Sequence, residues 1–347
     1  MKTHFSICRA MKKDIKDQNL AVVYGGFTSE YLISVQSGKS VARWLRNAGR
    51  KVYEILLLRD GWWTVIPGAD GQETRLPVDK NDFSTVIEGE KILFDKAYIA
   101  IHGDPGENGK LQAYFEMIGV PYAGCSSTCA AIAFDKYACK SYIRTSGVPL
   151  AKDMILRSTD DYDPDDLALN VGLPMFVKPC GGGSSFGVTK VKRPEDLPAA
   201  IEKGFKESDS LILEKYIVGR EIDCGVYDDG DGIHALPLIE IISDNEFFDY
   251  DAKYNGASRE LCPAPVPQLQ KALVQDAAVK IYQRLGCTGM VRMDFILGPD
   301  DKPYFLEVNP NPGMTSASLV PQMVREAGMT MEDFMTGLMD RTDCREL

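Results

Sequence analysis

Apolar positions gather along this chain in short runs that end on glycine. LAVVYGG (Leu20–Gly26) is continuous rather than alternating, which predicts a strand buried on both faces and entering a tight turn. TSEYLISVQSGKSVARWLRNAG follows with helical character, Thr28 or Ser29 as its N-cap and Gly49 as its stop. KVYEILLL (51–58) and DKAYIAIHG (95–103) predict further strands, and KLQAYFEMIG (110–119) a helix closing on glycine. Strand and helix in alternation predict an α/β unit with a parallel, doubly wound sheet over residues 19–132.

A smaller mixed unit is expected over 133–213. AFDKYACKSYIRTSG (133–147) predicts one helix, PMFVKP and SLILEKYI strands, and EDLPAAIEKGFKE a helix between them. A third unit spans 214–347. Its clearest helix is 268–285, with Leu269, Leu273, Ala277, Ile281 and Leu285 on one stripe and Gly286 as the stop. Residues 1–18 predict a polar leader with little order of its own.

Composition narrows the function classes. A net charge of −11 argues against a nucleic-acid surface, though it leaves room for a local basic pocket. No apolar run is long enough to span a bilayer, and the N-terminus lacks a signal-peptide core. The nine cysteines are scattered without a CxxC pair, and their spacing predicts free thiols of a reducing cytoplasm, neither a zinc site nor a disulfide framework. Three histidines (His4, His102, His234) give no His-rich metal site.

The chemistry begins with a hairpin. MVRMDFIL and YFLEVNPNPGM flank the turn GPDDKP. Alternation sets Arg292, Asp294 and Ile296 on one face, and Phe305, Glu307 and Asn309 on one face of the return strand. Pairing through the turn brings Asp294 beside Glu307. Two carboxylates and an amide oxygen are hard ligands, suited to Mg2+ held against phosphates. The same carboxylates also fit a solvated sheet face.

FVKPCGGGSSFGV (176–188) carries the second signal. In a P-loop the lysine follows the glycines and opens a helix. Here Lys178 precedes them on a strand, leaving the loop free to fold over phosphates through its backbone N–H groups. A glycine loop alone also fits an ordinary turn; lysine, loop and carboxylate hairpin together are far more specific.

Through these and other residues the chain from about Leu20 to Gly328 resembles the D-alanine–D-alanine ligases of the ATP-grasp superfamily. The resemblance is carried by GGFTSEYLISVQSG, HGDPGENGKLQAYFEMIGVPYAG, FDKYACK, FVKPCGGGSSFGVTKV, EKYIVGREI, DYDAKYNG, VRMDFI and EVNPNPGMTSASLVP, in family order. It implies a three-domain ATP-grasp fold: a Rossmann-like N-terminal domain, then two α+β grasp subdomains with ATP between them. It implies the ATP-dependent joining of two D-alanines through an acylphosphate, for peptidoglycan precursors, in the cytoplasm, by a homodimer paired through its N-terminal unit.

The resemblance also implies residue roles. Lys136 and Lys178 match lysines on the α- and β-phosphates, Lys253 one aimed at the γ-phosphate, Glu214 the hinge beside adenine, and Glu221 the ribose acid. Asp294, Glu307 and Asn309 match ligands of two Mg2+ ions, which Mn2+ can replace. Arg292 and the N–H of Gly313 match the oxyanion stabilisers. Glu30, Ser184 and Tyr254 match a trio around the first D-alanine, and Ser318 a group on the carboxylate of the second. His102 and Glu107 match a substrate-side turn. Glu30 equally fits a carboxylate favoured by a helix N-terminus, and His102 a satisfied core histidine. Tyr31 and Leu32 stand where the family often has histidine and an acid, and Pro310 where threonine is common. Tyr254 resembles the dipeptide-forming lid. The competing readings are another ATP-grasp carboxylate–amine ligase and a silent nucleotide-binding protein; the first need not keep Glu30, Ser184 and Tyr254 together, and the second tolerates loss of a metal ligand.

Overall fold

The computed structural model describes residues 13–68, 72–183, 186–243 and 258–342. Strand β1 (Asn19–Gly25) is buried along its whole length, as its unbroken apolar run requires. It pairs in parallel with β2 (Lys51–Leu57) and β7 (Lys96–Ile99), and β7 with β8 (Tyr122–Ala123). The expectation of a wholly parallel sheet fails on the other side. There β3 (Trp62–Pro67), β4 (Glu73–Asp79), β5 (Ser84–Ile87) and β6 (Glu90–Leu93) continue from β2 as an antiparallel meander. Only residues 58–61 join β2 to β3, too few for the crossover that a parallel pair needs.

Helix α1 (Tyr31–Asn47) starts later than expected. Glu30 occupies the N-cap position without a side-chain bond, while Thr28 Oγ1 accepts from Glu30 N at 3.3 Å. Gly49 stops the helix with φ +76, its N–H donating to the Arg46 carbonyl. Helix α2 (Lys110–Met117) precedes β8. Residues 13–18 lie against this domain: Lys13 pairs with Asp95 at 2.7 Å, and Arg50 donates to the Ile15 carbonyl.

The helix expected over 133–147 is two. α3 (Ser127–Phe134) and α4 (Lys136–Ile143) meet at Asp135, whose extended backbone breaks the helix and whose carboxylate caps α4 at Ala138 N, 2.8 Å away. Lys136 thereby becomes the first residue of a helix beside the glycine loop. The second sheet orders β11 (Thr189–Val191), β10 (Met175–Pro179), β12 (Ser210–Lys215) and β9 (Asp153–Arg157), covered by α5 (Pro164–Val171) and α6 (Leu197–Phe205).

The third sheet orders β16 (Ser258–Leu261), β15 (Ile239–Ser243), β13 (Arg220–Asp228), β17 (Met290–Leu297) and β18 (Pro303–Asn309), with β14 (Ile233–Ala235) on β13. Helix α7 (Gln268–Leu285) packs on it through Val274, Ala277, Ala278, Ile281, Tyr282 and Leu285. Leu269 and Leu273 of the expected stripe are exposed. Four residues carry a helix about 40° past a full turn, so a spacing-of-four stripe drifts off the buried face within a few steps.

The last two helices, α8 (Leu319–Glu326) and α9 (Met331–Asp340), return to the N-terminal domain. Met323, Val324, Phe334, Met335 and Met339 share one core with Leu20, Val22, Val41 and Leu45. Arg50 pairs with Asp340, and Lys96 Nζ donates to the Met339 carbonyl at 2.9 Å. Among the described residues no helix is long and apolar enough to cross a membrane.

Candidate active site

The β17–β18 hairpin forms and brings the expected pair together. Asp294 faces Glu307 and Arg292 faces Asn309, but the ladder shifts between Asp294 and Phe295, where Phe295 pairs with Phe305. Leu306 is the extra residue of this bulge. The bulge corrects the face assignment. Phe305 turns into the core against Phe295, ring centroids 6.0 Å apart, while Glu307 and Asn309 face the site. One inserted residue lets the strand be apolar-in at one end and polar-toward-ligand at the other.

Two cavities adjoin here. The first, about 410 Å³, is lined by Lys136, Lys178, Glu214, Glu221, Asp294 and Glu307, between the second and third sheets. The second, about 640 Å³, is lined by Glu30, His102, Arg292, Asn309, Gly313 and Ser318, between the hairpin and the N-terminal domain. Lys136, Gly182, Gly183 and Glu307 line both.

Lys178 and Phe176 project to one side of β10 while Met175, Val177 and Pro179 are buried on the other. Lys178 Nζ lies 2.7 Å from Glu214 Oε2 on β12. Glu214 is itself 2% exposed, and its other oxygen meets the buried Lys140. Burial, then the charge of Lys178, pushes Lys140 down to about 7, with Asp153, Cys139 and Glu307 pulling the other way. Lys136 Nζ donates to the Gly182 carbonyl at 3.0 Å and sits 3.5 Å from Glu307 Oε2. A side chain at Gly183 would come 3.1 Å from Glu30 Oε2, so the glycine loop starts against the acid at the mouth of α1.

Arg292 holds Asp294 through two bonds, Nε to Oδ1 at 2.7 Å and Nη2 to Oδ2 at 2.8 Å, and lies 3.3 Å from Asp223 Oδ2. Asp223 faces Asp294 across β13 and β17 and is fully buried. Burial, then the Asp294 charge, pushes Asp223 well above the usual carboxylate range against the opposing pull of Arg292. Burial disfavours the charge on Arg292, but its two carboxylates hold it protonated.

His102 is buried at the second cavity, Nε2 3.3 Å from Ser37 Oγ and Nδ1 3.7 Å from Glu107 Oε1. Burial alone would lower its pKa, but Glu107 and the Glu30 charge raise it above the ordinary histidine value. Ser318 occupies the N-cap position of α8 without a side-chain capping bond, and its Oγ accepts from Thr315 N at 3.0 Å. A side chain at Gly313 would meet that Oγ at 3.0 Å, so only glycine leaves this wall open. Tyr31 packs on the N-terminal core, and Leu32 is 69% exposed. Ser184, Lys253 and Tyr254 lie outside the described residues.

Comparison with known proteins follows from this geometry. Residues 19–125 match the family described as D-ala D-ala ligase N-terminus, and residues 143–340 the family D-ala D-ala ligase C-terminus. The chain belongs to the D-alanine–D-alanine ligase family. It is 42% identical over 323 residues to the D-alanine--D-alanine ligase of Phocaeicola vulgatus, covering 93% of this chain and 98% of that one. The ligase of Porphyromonas gingivalis is 41% identical over 326 residues, covering 94% and 96%. Among solved structures, D-alanyl-alanine synthetase A from Vibrio cholerae superposes with a TM-score of 0.84 at 26% identity, covering 94% of this chain and 98% of that one. VanG D-Ala:D-Ser ligase from Enterococcus faecalis superposes with 0.82 at 29% identity, covering 92% and 98%. The architecture is the three-domain ATP-grasp ligase fold.

Two members of this ligase's site were not singled out in the sequence. Lys140 lies one helical turn after Lys136 in FDKYACK, and Asp223 lies two residues after Glu221, on the same strand face. Periodicity would have flagged both, had the nearby matched residues been extended by one repeat.

Proposed function

We propose that this ligase joins two D-alanine molecules with ATP, by way of an acylphosphate of the first, releasing D-alanyl-D-alanine, ADP and phosphate for peptidoglycan precursors. The observation that carries the reading is the pair of adjoining cavities with Lys136, Gly182, Gly183 and Glu307 as their common wall. A nucleotide in the first would end its phosphate chain at this wall, where a carboxylate in the second can attack it. Phosphoryl transfer of this kind needs alignment and charge neutralisation more than covalent help from the protein.

Lys136 and Lys178 are the cations on the phosphates, Glu214, paired with Lys178, is the hinge acid beside the adenine, and Glu221 is the acid on the ribose. Lys253 is assigned to the γ-phosphate. Asp294, Glu307 and Asn309 would hold the metal: Asp294 lines the first cavity, Asn309 the second and Glu307 both, and two carboxylates with an amide oxygen are a donor set that fits Mg2+ and accepts Mn2+. Ions bound there supply positive charge to the phosphates as they are transferred. Glu30 receives the ammonium of the first D-alanine, with Ser184 and Tyr254 closing the trio. Ser318 receives the carboxylate of the second, and His102 with Glu107 lines its approach. Arg292 and the Gly313 N–H stabilise the oxyanion formed when the amine adds. We extend the reading to a homodimer paired through the N-terminal domain.

The reaction is tested by phosphate release with D-alanine as the sole amino acid, and product identity by mass spectrometry. D-serine and D-lactate are the competing acceptors. Turnover that appears only when one of them is added would replace the dipeptide reading with a mixed-product ligase.

A further inference from the structure

Cysteine spacing predicted no metal site, yet the fold gathers Cys125, Cys129 and Cys287 so that their sulfurs all lie within 4.8 Å of one another. The reason is tertiary: Cys125 and Cys129 flank the start of α3, and Cys287 arrives from the far end of α7, more than 150 residues later. Cysteine is also a common small filler of apolar cores. Filler does not explain why, of the seven cysteines among the described residues, these three converge while Cys139, Cys180, Cys224 and Cys262 do not.

We propose that Cys125, Cys129 and Cys287 form a three-thiolate site for a soft divalent ion of the zinc or cadmium kind. Three observations carry this. The Cys129 and Cys287 sulfurs are 3.7 Å apart. A tetrahedral zinc with sulfurs at ~2.3 Å sets its ligands ~3.8 Å apart, so that edge is already in place. The sulfurs sit at the N-terminal turn of α3, where Ser126 Oγ already caps Cys129 N and the helix favours negative charge. Cys287 is buried but lies between the exposed Gly286 and Thr288, which keeps the cluster near the surface.

Binding is a proton exchange. One divalent ion forms three metal–sulfur bonds, three S–H bonds break, and three protons leave for solvent; no electron changes hands. The product carries one net negative charge, which the helix terminus offsets in part. A water from the Thr288 side, or the Thr288 carbonyl that lies 3.7 Å from Cys125 Sγ, completes the fourth position. Without an ion, the Cys125 thiol and then burial push Cys129 above the ordinary thiol value although Cys287 pulls it down, and Cys125, Cys129 and then burial push Cys287 up. The site would staple the end of the N-terminal domain, helix α3 and the C-terminal subdomain at one point. The far end of α3, Ala133 and Phe134, lines the second cavity.

The test uses the full, reduced, metal-free chain without nucleotide. Cd2+ is titrated against a competing chelator, following thiolate-to-cadmium absorption in the ultraviolet, and the bound ion's neighbours are read by X-ray absorption. One Cd2+ per chain with three sulfur neighbours is expected. Cys129→Ala and Cys287→Ala should each weaken binding by more than about 100-fold, beyond the loss typical of an outer-sphere partner, with Cys262→Ala unchanged. An oxygen-only shell in the unaltered chain overturns the proposal whatever the variants do. So does undiminished affinity in Cys129→Ala and Cys287→Ala.

Discussion

Arg292 and Asp294 stand two residues apart on one strand face and are joined by two parallel hydrogen bonds, at 2.7 and 2.8 Å. The fork leaves Asp294 with lone pairs toward the first cavity, while Arg292 reaches the second. One ion pair therefore links the proposed metal position to the proposed oxyanion position. Asp223, behind both, gives the guanidinium a second anchor.

Arg292→Lys keeps the charge and loses the planar fork. We expect kcat to fall by about 100-fold or more, the scale of a lost oxyanion donor, with the melting temperature little changed. Steady-state kinetics and thermal unfolding on one preparation check this. A variant with near-normal kcat would remove Arg292 from the chemistry.

Glu214 is buried between two lysines, so Glu214→Gln leaves Lys140 and Lys178 facing each other without a counter-charge. Losing one partner of a buried pair costs about 3–5 kcal/mol. Urea denaturation of the nucleotide-free protein should show a loss of that order. A change below about 1 kcal/mol would mean that the cluster is solvated.

His102 has a folded pKa raised above its ordinary value by Glu107 and Glu30, which outweigh burial. A histidine with a raised folded pKa stabilises the fold fully below its unfolded pKa, near 6.5, and loses that contribution as pH rises through the folded value. Glu107→Gln should flatten the stability profile in that window and lower the His102 midpoint, measured by NMR titration of the imidazole. An unmoved midpoint would show that Glu107 does not set the charge of His102.

Gly38 lies on α1 where a Cβ would overlap the Tyr24 ring of β1. Gly38→Ala gains helix propensity but overpacks the core, and we expect a net loss of about 1–3 kcal/mol. Equilibrium unfolding measures it; a more stable variant would show that Tyr24 can move aside.

Local patterns carried much of this protein. The unbroken run at Leu20–Gly26 announced a doubly buried strand, Gly49 a helix stop, and the order of lysine and glycines at 176–188 set the loop apart from a P-loop. These signals are legible because each depends on a few neighbouring residues: strand alternation, φ at one glycine, a side chain at the end of one strand. The facing of Asp294 and Glu307 was legible only in part: the register set by the turn, Leu297 with Pro303 and Phe295 with Phe305, points Asp294 at Leu306, and the bulge there moves it onto Glu307.

Tertiary contact decided the rest. The bulge at Leu306, the antiparallel half of the first sheet, and the exposure of Leu269 and Leu273 depend on which neighbouring surface each element meets. The positions of Asp223 and Lys140 follow from local period, but their pairing with Arg292 and Glu214 exists only once burial removes water from around them. The packing of α8 and α9 on the first domain, and the meeting of Cys125, Cys129 and Cys287, join residues that no local period relates. Sequence thus determined many of the elements and which chemistry-bearing residues they carry. Burial and long-range contact determined which charged and sulfur-bearing groups have to face one another.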